Sequence, residues 1–307
     1  MSKPPVAILS YDNLVHALAG SAGSVTAMSA FYPLDTIRAR LQLDDRVEAK
    51  NTLVMLIELT KREGIPSLYR GLVPVLQSLC VSNFVYFYSF HGLKSYISDK
   101  IPASAIRDLF LGSVAGVINV LTTTPLWVVN TRMKMQGLPP APGQQCVKYK
   151  NLLDGLNQIY KREGLQALWA GTLPSLMLVI NPAIQFMTYE SVKRRLRFRY
   201  GDREFSSLVY FLVGAVAKTV ATVLTYPLQI VQTKLRHGHK MEGLRPNASM
   251  QEIFRAIIRK YGLKGIFKGM ESKILQTVLT SALMFTIYEK IAAFVFRLMR
   301  VKRHIKS

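Results

Sequence analysis

The chain reads PLDTIRARLQ at residues 33–42 and EGIPSLYRG at 63–71. Both stretches come back twice. Pro33, Pro125 and Pro227 are each followed by leucine, in PLD, PLW and PLQ. A glycine stands thirteen residues before each proline, at Gly20, Gly112 and Gly214. EGIPSLYRG returns as EGLQALWAG at 163–171 and YGLKGIFKG at 261–269. Each copy keeps a glycine, an aromatic residue five positions on, and a closing glycine two positions later. Two independent landmarks recurring together three times mark three copies of one module.

The prolines sit in uncharged stretches or at their ends. Leu14–Leu34, Leu72–Phe90, Leu109–Asn130, Thr172–Tyr189 and Ile274–Tyr288 contain no Lys, Arg, Asp or Glu, and Ser206–Thr233 contains one, Lys218. A bilayer core takes about 17–25 apolar helical residues. Ile274–Tyr288 is the shortest of the six. Small residues four apart, as at Gly20/Ser24 and Gly112/Gly116, let helix backbones approach closely in lipid. The third module breaks that pair with Gly214/Lys218. Between the landmarks, Asn51–Arg62, Asn151–Arg162 and Ser249–Lys260 are polar with one apolar stripe; Ile253, Ala256, Ile257 and Tyr261 fall on a single helical face. They predict short interfacial helices. Each module therefore reads as helix, loop with surface helix, helix. The modules span 1–98, 99–200 and 201–307 and form one all-α membrane domain of six transmembrane helices, with both termini on one side.

Composition supports this. Half of the 307 residues are hydrophobic, yet Lys+Arg number 40 against 18 Asp+Glu, a net charge of +22. A basic soluble protein would point to nucleic acid. A basic chain with long uncharged stretches points to membrane spans, basic loops and a cavity for anions. Lys and Arg are spread over both sets of loops, so charge does not orient the chain. Lipid is an expected partner and nucleic acid is not. The run Lys193–Arg203 reads as a connector between spans. The two cysteines, Cys80 and Cys146, form no disulfide framework. The N-terminus has too little positive charge for a transit peptide and no cleavage pattern, so the first span is expected to stay in the mature chain. No P-loop or catalytic constellation is present, so enzymatic activity is not expected. His237-Gly-His239 lacks a third ligand, so no metal is expected. Lys218 stands out, because a lysine in mid-span costs about 2.5–3.5 kcal/mol and is a functional-site candidate by default. Lys273, at the mouth of the last span, extends the same field.

The first module matches in full the double motif of the mitochondrial carrier family. That motif is Pro-x-Asp/Glu-x-x-Lys/Arg-x-Lys/Arg, followed after a loop by an acid, a glycine, an aromatic, a base and a glycine. The resemblance covers essentially the whole chain. It implies three pseudosymmetric repeats around a central water-filled cavity that opens alternately to each side. PLWVVNTR at 125–132, with Trp127 in place of the acid, is similar to the branch that moves NAD, FAD, folate and pyrimidine nucleotides. SNFVYFYSF at 82–90, NPAIQFMTYE at 181–190 and LQTVLTSALMF at 275–285 are similar to the peroxisomal branch, which exchanges coenzyme A, FAD, NAD and adenine nucleotides.

The resemblance also assigns roles. Kinks at Pro33, Pro125 and Pro227 would draw the odd helices together and close the long-loop end. The implied contacts of that gate are Asp35–Asn130, Trp127–Gln232 and Gln229–Arg38, in which no two opposite charges meet, and Gln42 would brace it. Arg40, Arg132, Lys134, Lys234 and Arg236 read equally well as interfacial or phospholipid anchors. The opposite gate implies His91–Lys193, Glu190–Ala292 and Glu289–Lys94. Substrate positions seven residues after each closing glycine are Ser78, Leu178 and Gln276, with the second register open by one residue. Asn83, Asn181 and Gln185 are polar cavity candidates that serve equally as interhelical hydrogen-bond partners. The expected cargo is a small anionic nucleotide: coenzyme A, FAD, NAD, or AMP, ADP or ATP, carried as substrate and not held as cofactor. A monomer is the expected working unit. The peroxisomal membrane is the expected location, with a mitochondrial inner-membrane carrier for NAD, FAD or folate as the alternative.

Overall fold

A computed structural model describes residues 25–43, 51–97, 104–136, 147–201, 205–238 and 248–283. Residues 25–30 are helical and turn at Phe31 into α1 (Tyr32–Leu43). There follow α2 (Thr52–Glu63), the short α3 (Ile65–Leu68), α4 (Leu72–Ile97) and α5 (Ala105–Lys134). The second module continues with α6 (Leu152–Glu163), a 3-10 turn at Leu165–Trp169, α7 (Thr172–Met177), a 3-10 turn at Leu178–Ile180 and α8 (Asn181–Tyr200). The third holds α9 (Ser207–His237), α10 (Met250–Gly265) and a helix over 270–283. No strand occurs among the described residues. Four of these segments are long and apolar enough to cross a membrane: Ile65–Ile97, Ile106–Lys134, Leu165–Tyr200 and Leu208–His237. The first and sixth expected spans lie partly outside the described residues, as do Gly20, Ser24, Cys146, His239, Glu289 and Ala292.

The three surface helices form where the stripes predict them. Asn51 and Asn151 cap α2 and α6 by accepting from the amides of Leu53 and Asp154. Ser249 caps α10 in a reciprocal box with Glu252, each such cap satisfying amides that a helix start leaves unpaired. The inward faces then bury against their own odd helix. Met55 packs on Ile37 and Leu41 of α1, Leu152 and Ile159 on Val128, Val129 and Met133 of α5, and Ile253 and Ile257 on Ile230 and Val231 of α9. Each module thus has its own small core cluster, and a fourth, of Ala39, Leu43 and Met135, joins modules 1 and 2. The odd helices α1, α5 and α9 touch one another pairwise, while α4 runs along α5 and α8 along α9.

Pro125 and Pro227 lie inside continuous helices. The carbonyl that Pro125 deprives of its donor is that of Leu121. The Trp169 indole N–H donates to it at 2.9 Å. The small-residue pairs behave unequally. A side chain at Gly116 would meet Val179 at 3.0 Å and one at Gly112 the Tyr86 hydroxyl at 3.2 Å, but nothing approaches Gly214. Close approach therefore belongs to module 2 and not to the described part of module 3.

The fourth span is broken where an unbroken helix over Thr172–Tyr189 was expected. Pro182 has no amide to donate, and the chain tightens into a 3-10 turn just before it. A 3-10 residue rises about 2.0 Å against about 1.5 Å for an α-helical one. Three such residues make up about 1.5 Å, the length of the one residue this span lacks relative to its counterparts. Leu178 opens that turn, which is why its register was open by one.

Gly155 gives a direct test of the packing. A side chain there would stand 2.4 Å from a methyl of fully buried Val129. Gly155→Ala is expected to lower stability by about 1–3 kcal/mol, and Gly214→Ala not to lower it. Thermal unfolding of the two variants in detergent compares them; equal melting temperatures would contradict the packing.

Candidate functional site

The long-loop ends of the odd helices meet in three seams. Each seam is built on a closing glycine whose φ is positive: +84° at Gly71, +78° at Gly171 and +82° at Gly269. That backbone suits glycine, and the missing side chain lets the next module in. A side chain at Gly71 would meet Lys134 at 3.3 Å and the Tyr32 hydroxyl at 3.2 Å. One at Gly171 would meet the Gln232 carbonyl at 3.1 Å and Arg236 at 3.2 Å, and one at Gly269 would meet Leu41 at 3.4 Å and the Tyr226 hydroxyl at 3.2 Å. Module 1 therefore contacts module 2, 2 contacts 3, and 3 contacts 1.

Tyrosines preceding two of the prolines tie each seam to its own landmark. Tyr32 donates to the Arg70 carbonyl at 3.1 Å and stacks on Tyr69; Tyr226 donates to the Lys268 carbonyl at 2.9 Å and stacks on Phe267. Gln42 donates to the Tyr226 hydroxyl at 3.0 Å, so it does bridge modules 1 and 3. Ser272 adds a buried bond to the Leu34 carbonyl at 2.8 Å.

The gate contacts differ from those the motif implies. Asp35 is buried and pairs with Lys134 of α5 and, at 3.1 Å, with Arg38 of its own helix, not with Asn130. Asn130 is buried with neither amide atom hydrogen-bonded. Gln229 donates to Thr225 on its own helix at 3.1 Å and not to Arg38. Gln232 donates to Ser175 at 2.7 Å, although it shares a cleft wall with Trp127. The physical reason is register. Residues 130 and 134 are one helical turn apart on one face, and the longer lysine carries the charge that asparagine lacks.

The five basic residues read as lipid anchors turn inward. Arg40 makes two hydrogen bonds to Glu63, and Arg132 makes two to Glu163. In each case the base seven residues after the proline is clamped to the acid opening the second landmark. Module 3 replaces the pair with buried Lys234 and with Tyr261. Arg236 donates to Ser175 at 3.1 Å. The signal was in the sequence, because base and acid recur together in the first two modules and are lost as a pair in the third. The Arg40 hydrogen bond holds the Glu63 carboxyl below its usual range, ahead of the opposing effect of burial. That contribution is present above the ordinary carboxylate pKa of about 4.3 and is lost as pH falls below it.

At the other end, Lys94 pairs with Asp108 of α5 at 3.1 Å. Lys193 lies 3.8 Å from Glu190 of its own helix, and His91 packs on Phe87 and Phe90. His91 and Lys193 thus have other neighbours than each other, and Glu289 and Ala292 lie outside the described residues. The contacts formed belong to a state closed at the long-loop end.

Above the closed end, a cleft of about 330 Å³ follows α5 from Tyr86 and Asp108 to Trp127, Gln232 and Arg236. Nineteen helical residues separate its ends, about 28 Å at about 1.5 Å each. Leu178 lines it. Ser78 is fully buried with its hydroxyl unbonded, and Gln276 is buried beside Met28, so neither is reachable in this closed state. Asn83 is exposed, Gln185 half-buried, and Asn181 donates to Thr225 at 2.7 Å, an interhelical bond. Lys273 lies within electrostatic reach of Arg38, Asp35, Lys218 and Lys134. Arg38 in turn is within reach of Arg236. Among the described residues Lys218 and Lys273 make no ion pair. These bases form a cationic cluster near the closed end, with Lys218 exposed on α9 and Asp35 the one acid among these residues.

A family model described as mitochondrial carrier protein matches residues 10–101, 102–200 and 203–298. The chain belongs to the mitochondrial carrier family. It is an all-α membrane carrier of three repeats. Similar proteins include the peroxisomal membrane protein PMP34 of Mus musculus, 49% identical over 96% of this chain and 97% of the relative. The peroxisomal nicotinamide adenine dinucleotide carrier of Arabidopsis thaliana is 31% identical over 91% and 95%. The peroxisomal adenine nucleotide carrier 1 of Glycine max is 29% identical over 92% and 91%.

Removing Glu63 would leave buried Arg40 without its acid. Glu63→Ala is expected to cost about 3 kcal/mol, and Arg62→Ala, whose side chain is exposed, less than about 1 kcal/mol. Comparable melting temperatures for the two carriers would contradict the clamp.

Proposed function

We propose that this carrier exchanges adenine-containing cofactors across the peroxisomal membrane: coenzyme A, FAD, NAD and AMP, ADP or ATP. The observation that carries the reading is the cationic floor formed by Arg38, Lys134, Lys218, Lys273 and Arg236. Each charge in a membrane interior is costly, and one acid offsets few of them. An anionic ligand supplies the remaining counter-charge, and phosphate oxygens accept the strongest hydrogen bonds from such bases. Trp127, Leu178 and Gln232 offer an aromatic, an apolar and an amide surface to an uncharged ring, since planar rings stack on aromatic side chains. In this reading Ser78, Leu178 and Gln276 become contact positions as the gate loosens, while Lys218 and Lys273 hold phosphate. Asn83, Asn181 and Gln185 are secondary polar positions. The relatives named for peroxisomal carriage of NAD and adenine nucleotides support the same cargo and the same membrane.

The test is uptake by purified protein in liposomes. Labelled coenzyme A or NAD should enter vesicles preloaded with an adenine nucleotide. Lys218→Ala should slow entry at least about tenfold with an undiminished yield of folded protein. Absence of uptake of every adenine cofactor, where a control carrier works, would refute the proposal; an unaltered rate in Lys218→Ala would make that lysine structural.

A further inference from the structure

Three positions nine residues after the prolines reach across the three seams: Gln42, Lys134 and Arg236. Gln42 meets a tyrosine hydroxyl and Arg236 a serine hydroxyl. Lys134 meets a carboxylate, Asp35 of the neighbouring module. We infer that Lys134 is the latch of the long-loop gate. Its ion pair with Asp35 does, at the seam between modules 1 and 2, what Asn130 cannot, and sets how often that end opens.

Three features make this a built seat and not a chance contact. The Lys134 stem lies against Gly71, where a side chain would stand 3.3 Å from it, so the positive-φ glycine leaves the groove the lysine occupies. Its ammonium lies 5.4 Å from the centre of the Tyr32 ring, a second favourable site for a cation. Tyr32 is itself fixed by its bond to the Arg70 carbonyl. Arg70 also donates to the Gln136 carbonyl, two residues beyond the latch, and so holds the end of α5 against module 1.

The consequence is asymmetry. Among the described contacts at these three positions, Gln42 and Arg236 reach uncharged hydroxyls and Lys134 reaches an opposite charge, both members of that pair being buried. Removing one member of a buried pair strands the other charge, which costs more than losing a neutral hydrogen bond. The other two seams open first, and the module 1–2 seam sets the barrier. The inference rests on the alternating-access reading of the family and on no choice of cargo, so its test needs no ligand.

Asn130 serves as the reporter, being buried and unbonded beside the latch. In a Cys80→Ser, Cys146→Ser background, Asn130→Cys is exposed to a water-soluble maleimide in detergent. Lys134→Met keeps the stem and removes the charge. It should raise the labelling rate at least about tenfold, equivalent to about 1.4 kcal/mol. Lys134→Arg, which keeps the charge beside Asp35 and Arg38, should label within about threefold of the parent. An unchanged rate in Lys134→Met overturns the assignment. So does a Lys134→Arg variant that labels as fast as Lys134→Met, because loss of packing alone would give that result. A melting temperature that collapses in both variants also counts against a local latch. Failure here would leave the uptake test untouched, and failure of uptake would leave this one standing.

Discussion

Gly71, Gly171 and Gly269 impose the constraint on which the other contacts depend. Each holds a positive φ that side chains disfavour, and each brings its backbone within van der Waals reach of the next module's odd helix. A methyl group at any of them would collide with a seam. Pro125 and Pro227 interrupt the hydrogen-bond ladders of α5 and α9; the glycines decide how close the odd helices come. The tyrosine hydroxyls, the brace at Gln42 and the ion pair at Asp35 all sit within that closed ring. The large separation between residues 272 and 34, bridged by one hydrogen bond, shows the ring closing from the last module back to the first.

Symmetry builds the frame, and its breaches carry the chemistry. The arginine–glutamate clamps of modules 1 and 2 fasten α1 and α5 each to its own landmark. Module 3 lacks that clamp and carries Lys218 where the other modules place small residues. It thus combines the absence of an arginine–glutamate clamp with the largest change in intramembrane charge. Of the cationic cluster, Arg236 is the base that lines the cleft, whose far end holds Asp108. An anion entering there meets an acid first, already paired to Lys94, and a rising positive field deeper in.

The module architecture was legible because proline and glycine restrict the backbone whatever surrounds them. The surface helices were legible from the apolar stripe. Gate pairing was less so. Sequence spacing names a face of a helix, but a lysine one turn along that face reaches the same partner as a shorter residue, so Lys134 and not Asn130 answers Asp35. Arg40 and Arg132 read equally well as lipid anchors for a related reason. A base near the end of a span looks interfacial until the acid 23 or 31 residues downstream is placed beside it. The 3-10 turn before Pro182 left no sign except one missing residue in the spacing.

The account rests on seams that are closed in this state and must part for cargo to pass. The Ser175 and Gln232 side chains meet across the module 2–3 seam at 2.7 Å. Ser175→Cys with Gln232→Cys, in a chain without Cys80 and Cys146, places a thiol on each side of that contact, where a short reducible thiol cross-linker ties module 2 to module 3. Measuring uptake before and after cross-linking is the most direct test. The account predicts that the cross-link forms without substrate, stops uptake, and releases it on reduction. Uptake that continues at full rate with the cross-link in place would contradict it.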